Sequence, residues 1–175
     1  FLPGTEVIAR HLCMALRTRD PRHVARALCN EGVFMAMQAP RNVDRCLGYL
    51  ARARELVDAL SDPALLGFFL FTEGQVRLFQ WDLVAAERCF EQAERVLRED
   101  CKGEYFYLTN TRALWLTLSM LLGDYQGLAT RSRAFEQEAR ARGDAYALTS
   151  IVVLGGGYTR ALMRDDPAAA FAAVD

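Results

Sequence analysis

Apolar and polar positions alternate with a helical period along almost the whole chain. The clearest stretch runs from Asp62 to Asp100 and contains two amphipathic runs joined at Gln80-Trp81-Asp82. In the first run, apolar or small residues recur at four-residue spacing, at Leu66, Leu70, Gly74 and Leu78. Asp62 before Pro63 is a good helix start, because an aspartate caps free backbone N–H groups and proline suits the first turn. The short connection predicts two antiparallel helices packed as a hairpin.

This hairpin pattern recurs along the sequence. Asp82 has counterparts at Asp124 and Asp166, each 42 residues further on, and each follows an apolar run and precedes an alanine-rich one. Such an interval predicts repeated helical hairpins that bury apolar surface against one another. Asp20 opens a fourth hairpin but lies 62 residues before Asp82. We attribute the difference to an extra helix from Val43 to Leu60.

The remaining runs predict the rest of the fold, and none has the alternating pattern of a strand. We predict an all-α fold, a right-handed α-solenoid of antiparallel hairpins with about eight helices, forming a single unit over residues 1–175. The other predicted helices are Thr5 to Thr18, Val24 to Met37, Glu104 to Leu122, Tyr125 to Arg142, Ala145 to Met163 and a truncated one at Pro167 to Val174.

Composition narrows the class of protein. The 175 residues are 52% hydrophobic, enough for a substantial core, but the longest apolar stretches are too short to span a bilayer. The chain has no signal-peptide pattern and begins at Phe1, so we expect a fragment of a longer cytoplasmic protein. The net charge of -1 argues against nucleic-acid binding. Lys102 is the only lysine, and the arginines alternate with acids as on solvated helix faces; a binding role would need them concentrated on one surface.

Residues that commonly carry chemistry are few and isolated. The five cysteines, Cys13, Cys29, Cys46, Cys89 and Cys101, contain no C-x-x-C pair, which favours reduced structural thiols over a metal site. A reactive Cys101 beside Lys102 is the alternative. His11 and His23 have no nearby acid and nucleophile set, and the chain has no Glu-x-x-His motif. We therefore predict no enzyme activity, no metal and no cofactor.

Gly155-Gly156-Gly157 invites a phosphate-loop interpretation, which we reject because a phosphate loop follows a strand, whereas these glycines continue a helical run. Glycines inside a helix predict close backbone packing or a kink. A ligand approaching the bare backbone is the alternative.

The central hairpin resembles the tetratricopeptide repeat. The residues that carry this resemblance are Gly74 in the first helix and Ala86, Phe90 and Ala93 in the second. The family places a leucine and a tyrosine where this chain has Glu73 and Arg77, and the next copy has Leu128, Ser132 and Phe135 in the second-helix positions.

A second resemblance covers nearly the whole chain. Its carrying segments are Arg10-His11-Leu12, Ala15-Leu16-Arg17, Asp20-Pro21, residues 24–28, Ala51-Arg52-Ala53 and Arg142-Gly143-Asp144. They resemble the helical-repeat region of large bacterial signalling proteins that join a serine/threonine kinase to a STAND-type ATPase. The resemblance implies a regulatory or partner-sensing region, and no kinase or Walker motif occurs in these residues.

Related repeats imply a partner-binding concave face lined by the first helices. The matching positions here are Phe71, Gln75, Phe79, Ala113, Thr117, Leu121, Gly155, Thr159 and Met163. The basic and asparagine residues of a carboxylate clamp are missing, so the face suits an amphipathic helix of a partner or a neighbouring domain. One alternative is a small-molecule sensor with an apolar site near Phe71, Trp115 and the glycines, which controls the parent ATPase. A structural spacer is the other.

Overall fold

The described part of the chain is all helical. The computed structural model describes residues 2–38, 43–153 and 157–172, and it contains no strand in these ranges. The ten helices are α1 (Leu2–Thr18), α2 (Pro21–Gln38), α3 (Val43–Leu60), α4 (Pro63–Phe79), α5 (Leu83–Glu99), α6 (Tyr105–Leu122), α7 (Tyr125–Arg142), α8 (Ala145–Val153), α9 (Gly157–Leu162) and α10 (Pro167–Ala172). The predicted all-α class is confirmed. The predicted helix from Ala145 to Met163 crosses residues 154–156, which lie outside the described residues.

The helices belong to two compact units, Phe1–Glu104 and Tyr105–Asp175. In the first unit α2 packs against α1, α3 and α4, α3 also packs against α4, and α4 packs against α5. In the second unit α6 packs against α7 and α8, α7 against α8, and α9 against α10. Within each unit, a helix thus contacts both of the helices that follow it in the chain.

The interpretation of α3 as an extra helix is wrong. α3 packs closely on α2, so these two helices form a hairpin of their own. Asp20 lies 42 residues before Asp62, and each is followed by a proline that begins a helix. Asp20 is therefore the counterpart of Asp62, and α2 begins at Pro21 and not at Val24. The aspartate pattern missed this hairpin because its connection, residues 39–42, carries no aspartate.

The recurring aspartates end one helix and begin the next. Trp81, Gly123, Gly143 and Asp165 have positive φ angles, and the N–H of the aspartate after each donates to a carbonyl of the preceding helix. For example, Asp82 N lies 3.0 Å from Arg77 O. This is the Schellman arrangement, which satisfies the last carbonyls of a helix. The aspartate side chain then accepts from the next helix, as Asp124 Oδ1 does from Gly127 N at 2.9 Å.

Glycines bring α4 and α5 close together. A Cβ built on Gly74 would lie 2.6 Å from Phe90 Cε1, and one on Gly67 would lie 2.6 Å from Leu97 Cδ2. Phe90 is fully buried. Because real Cβ atoms do not approach other carbons this closely, the helix backbones can adopt this separation only with glycine at these two positions.

The core of the second unit carries a buried charge beside it. The apolar cluster consists of Leu116, Leu128, Phe135, Ala139, Ala147 and Ile151. Arg112 is 3% exposed, its guanidinium carbon lies 4.5 Å from the centre of the Phe135 ring, and its Nη2 lies 2.7 Å from Glu138 Oε2. Arg142 forms a second ion pair with Glu138. Glu138 therefore joins two arginines of α6 and α7.

We expect Glu138→Gln to destabilise the protein in a pH-dependent way. Burial opposes ionisation of Glu138, but hydrogen bonds and charges from Arg112 and Arg142 outweigh it and lower its pKa below the usual 4.5. A lowered pKa in the folded state adds stability above pH 4.5, and that stability is lost as the pH falls through the folded-state value. The variant should lower the free energy of unfolding by about 1–2 kcal/mol at pH 7, discounted because Glu138 is partly exposed.

Urea denaturation at several pH values measures this effect. The difference between Glu138→Gln and the wild type should shrink as the pH falls below 4.5. Glu91→Gln is the matched control, since Glu91 is exposed and forms no ion pair among the described residues. A difference that is the same at pH 3 and pH 7 would rule out this role for Glu138.

Candidate functional site

The predicted partner-face residues differ in exposure. Phe71 and Ala113 are buried, so they offer a partner no side-chain surface. The half-buried members are Gln75, Thr117 and Thr159, and the exposed ones are Phe79, Leu121 and Met163. Gly155 lies outside the described residues. The apolar surface on these elements is therefore concentrated where each first helix ends.

The hydroxyl groups of the predicted face are already engaged. Thr117 Oγ1 donates to Ala113 O at 3.0 Å, within α6. Thr159 Oγ1 lies 3.4 Å from Met120 Sδ. A partner that bound here would find apolar carbon at the helix ends more readily than free hydroxyl donors.

The turn between α4 and α5 exposes three large apolar side chains, which we name the Trp81 patch. Phe79 is 42% exposed, Trp81 73% and Val84 58%. Trp81 has a φ of 61°, the left-handed conformation that costs a residue with a Cβ about 1–2 kcal/mol. The corresponding turn between α6 and α7 uses Gly123, which adopts this conformation without that cost. Folding alone therefore does not explain an exposed tryptophan at this position.

The turn between α6 and α7 exposes a similar group, which we name the Tyr125 patch. Its members are Leu121, Leu122 and Tyr125, exposed by 49%, 38% and 47%. Phe79, Leu121 and Met163 lie 42 residues apart, and each is exposed at the end of a first helix. The inner stripe of the first helices pointed to these three residues but not to Trp81, Val84, Leu122 or Tyr125. A tryptophan where the next copy has glycine was the available signal.

The largest cleft in the first unit that we describe lies between α3 and α4, with a volume of 390 Å³. This volume is at the lower end of the range for small-molecule sites, about 300–1,000 Å³. Its two arginines are neutralised locally: Arg54 pairs with Asp58 at 2.8 Å, and Arg77 pairs with Glu73 at 3.4 Å. The charge pattern therefore favours no particular ligand.

The two aromatic residues of the predicted sensor site are covered by other side chains. Phe71 is buried in the first unit. Trp115 is half-buried in the second unit, with the Arg131 guanidinium carbon 4.7 Å from its ring centre and the Phe135 ring 6.4 Å away. The Trp115 ring thus packs on its own unit's core cluster.

The thiols are free and poorly suited to reactivity. Cys29 and Cys46 are fully buried, and burial raises the pKa of Cys29 to about 12. Burial and the neighbouring Glu73 raise the pKa of Cys89 to about 12 as well. Burial, together with Glu104 and Asp100, also raises the pKa of Cys101. The alternative of a reactive Cys101 therefore has no support, because the nucleophile is the thiolate.

Other candidate chemistry is sparse in residues 2–38, 43–153 and 157–172. This part of the chain contains no group of three or more histidine, cysteine or acidic residues that could hold a metal. His23 is exposed, and its Nε2 lies 3.9 Å from Asp20 Oδ2 at the start of α2. None of the described helices has both the length and the apolar character that crossing a bilayer requires.

Comparisons with protein-family models, with curated proteins and with solved structures find no match. The exposed apolar turns are thus the feature of the described residues that most calls for a functional explanation.

Proposed function

We propose that this chain is a non-catalytic protein-interaction module that binds an apolar segment of a partner protein through its hairpin turns. The observation that carries the proposal is Trp81, which is 73% exposed and held at a positive φ angle. An exposed aromatic residue in a strained position is a feature of binding surfaces, where tryptophan and tyrosine supply much of the affinity.

The fold we propose for the module is a right-handed α-solenoid of tetratricopeptide-like hairpins. Its support is the repeated packing of each first helix on its own second helix and on the next first helix, as in α2 with α3 and α4 and in α6 with α7 and α8. Hairpins of this kind expose equivalent turns at regular intervals, which suits them to extended partners.

The proposed role is regulatory and belongs to the cytoplasm. It rests on the resemblance to the helical-repeat region of bacterial proteins that join a serine/threonine kinase to a STAND-type ATPase. In such a protein the natural partner is a second protein that reports a signal. An amphipathic partner helix is the chemistry that fits, because its apolar face can cover Phe79, Trp81 and Val84.

A protein partner explains the turns better than a small ligand does. Small-molecule sites are concave and bury most of the ligand, whereas Trp81 and Val84 lie at a turn and are mostly exposed. The sensor and spacer alternatives assign no binding role to these side chains, so a substitution at Trp81 separates them from the proposal.

Trp81→Gly should weaken binding without weakening the fold. Glycine relieves the left-handed strain but adds backbone entropy to the unfolded state, so the free energy of unfolding should stay constant or rise by up to about 1 kcal/mol. Partner retention should fall about tenfold, as for a typical interface aromatic. Urea denaturation gives the stability, and quantitative affinity capture from extract of the source cells, with the full chain as bait, gives the retention.

Ser61→Gly is the matched control. Ser61 has a φ of 49° and precedes the aspartate that caps α4, so the substitution relieves the same kind of strain without removing an aromatic ring. It should leave partner retention unchanged. If both variants retain the same proteins in the same amounts, the Trp81 patch is not the binding surface.

A further inference from the structure

Three arginines converge on a cleft in the second unit, which we name the arginine cleft. It has a volume of 210 Å³ and is lined by Ala129, Arg133, Arg160, Met163 and Arg164. α7 contributes Ala129 and Arg133, α9 contributes Arg160, and the turn after α9 contributes the last two. No acidic residue lines this cleft. Arginine is thus concentrated on one surface here, the condition under which arginines indicate binding more than solvation.

The charges of the arginine cleft are only partly neutralised. Arg160 forms an ion pair with Glu136, and their side chains are 20% and 16% exposed. Arg133 and Arg164 form no ion pair or hydrogen bond with any residue that the structure describes. Of the two aspartates after Arg164, Asp166 is engaged in capping α10 through its contact with Ala169 N at 3.0 Å. Two guanidinium charges therefore remain without a partner at the cleft.

The pairing of Arg160 with Glu136 gives the cleft a fixed element. A half-buried ion pair holds the guanidinium in one place, so part of its donor set is oriented before any ligand arrives. The α3–α4 cleft shows the contrast, since both of its arginines have carboxylate partners. The arginine cleft differs by its excess of positive charge.

We propose that the arginine cleft binds a phosphoryl group, either as free phosphate or as the end of a small phosphomonoester. A phosphomonoester carries about -1.5 to -2 charges at pH 7 and three acceptor oxygens, which match two unpaired guanidiniums and a third that is already oriented. A carboxylate, with one negative charge, leaves one of the two unpaired cations without a partner. At 210 Å³ the cleft is smaller than typical small-molecule sites of about 300–1,000 Å³, so it holds the phosphoryl end and leaves the rest of the molecule outside.

Calorimetric titration of the full chain with inorganic phosphate at constant ionic strength tests this proposal. The wild type should bind one phosphate saturably. Arg133→Gln/Arg164→Gln removes both unpaired guanidiniums and leaves the Arg160 to Glu136 pair in place, so its affinity should fall about tenfold or more. Titration with glycerol phosphate distinguishes the two sources: tighter binding than inorganic phosphate assigns the site to phosphomonoesters, and equal or weaker binding assigns it to the free ion.

Arg88→Gln/Arg95→Gln is the matched control, because it removes the same charge from two exposed arginines of α5. It should bind phosphate like the wild type. The proposal fails if the two double variants lose affinity equally, since the effect is then one of net charge. It also fails if acetate binds as tightly as phosphate, or if the wild type shows no saturable binding. Circular dichroism of each variant verifies folding, and Trp81→Gly should leave phosphate binding unchanged, which keeps this test separate from that of the partner surface.

Discussion

Phe90→Ala is expected to lower the free energy of unfolding by about 4 kcal/mol. Phe90 is fully buried on α5, and its ring fills the space above Gly74 of α4. Removing the ring takes away its apolar burial and leaves a cavity that the glycine opposite cannot fill, because it has no side chain to move inward. Urea denaturation followed by circular dichroism measures the change.

Val84→Ala is the matched control on the same helix. Val84 is 58% exposed, so its truncation should change the free energy of unfolding by less than about 0.5 kcal/mol. A loss below about 1 kcal/mol for Phe90→Ala would mean that the ring does not hold α4 and α5 together.

Gly74→Ala is expected to destabilise the protein by about 2 kcal/mol, against the helix propensity of alanine. A Cβ at this position would lie 2.6 Å from a ring carbon of Phe90, so the helices must separate or the ring must leave its rotamer. Gly67→Ala should be milder, because the contacting group there is Leu97 Cδ2, the end of a flexible side chain. Gly48→Ala should stabilise by up to about 1 kcal/mol, since Gly48 is exposed within α3 and a Cβ there meets no atom within 4 Å.

A double-mutant cycle isolates the contact between the two helices. Phe90→Leu removes the ring carbons that a Cβ at position 74 would meet, so Gly74→Ala should cost at least about 1 kcal/mol less in the Phe90→Leu background. Additive effects would show that Gly74 and Phe90 do not meet at the helix crossing.

The helix boundaries were largely predictable because they depend on local chemistry. An aspartate that satisfies the carbonyls of one helix and caps the next leaves a sequence signal at every turn where it occurs, as at Asp82 and Asp124. The α2–α3 hairpin escaped because its connection has no aspartate, and the interval from Asp20 was therefore compared with the wrong counterpart.

The candidate sites were less predictable because burial and convergence depend on distant packing. α4 is apolar on several sides, so periodicity alone could not show that Phe71 is buried while Phe79 is exposed. The arginine cleft brings together Arg133 and Arg160, which are far apart in sequence and lie among acids on their own helices. Alternating charge along each helix concealed a local excess that forms only when α7 and α9 approach.

Site-specific photo-crosslinking is the most direct test of the proposed interaction surface. A benzophenone amino acid at position 81 of the full chain should, on irradiation in extract of the source cells, give a discrete crosslinked species. The same group at position 95, an exposed position on α5, should give none. Mass spectrometry of the product should place the crosslink on an apolar segment of another protein. Equal labelling from both positions, or no product from position 81 although the chain is folded, would contradict binding through the Trp81 patch.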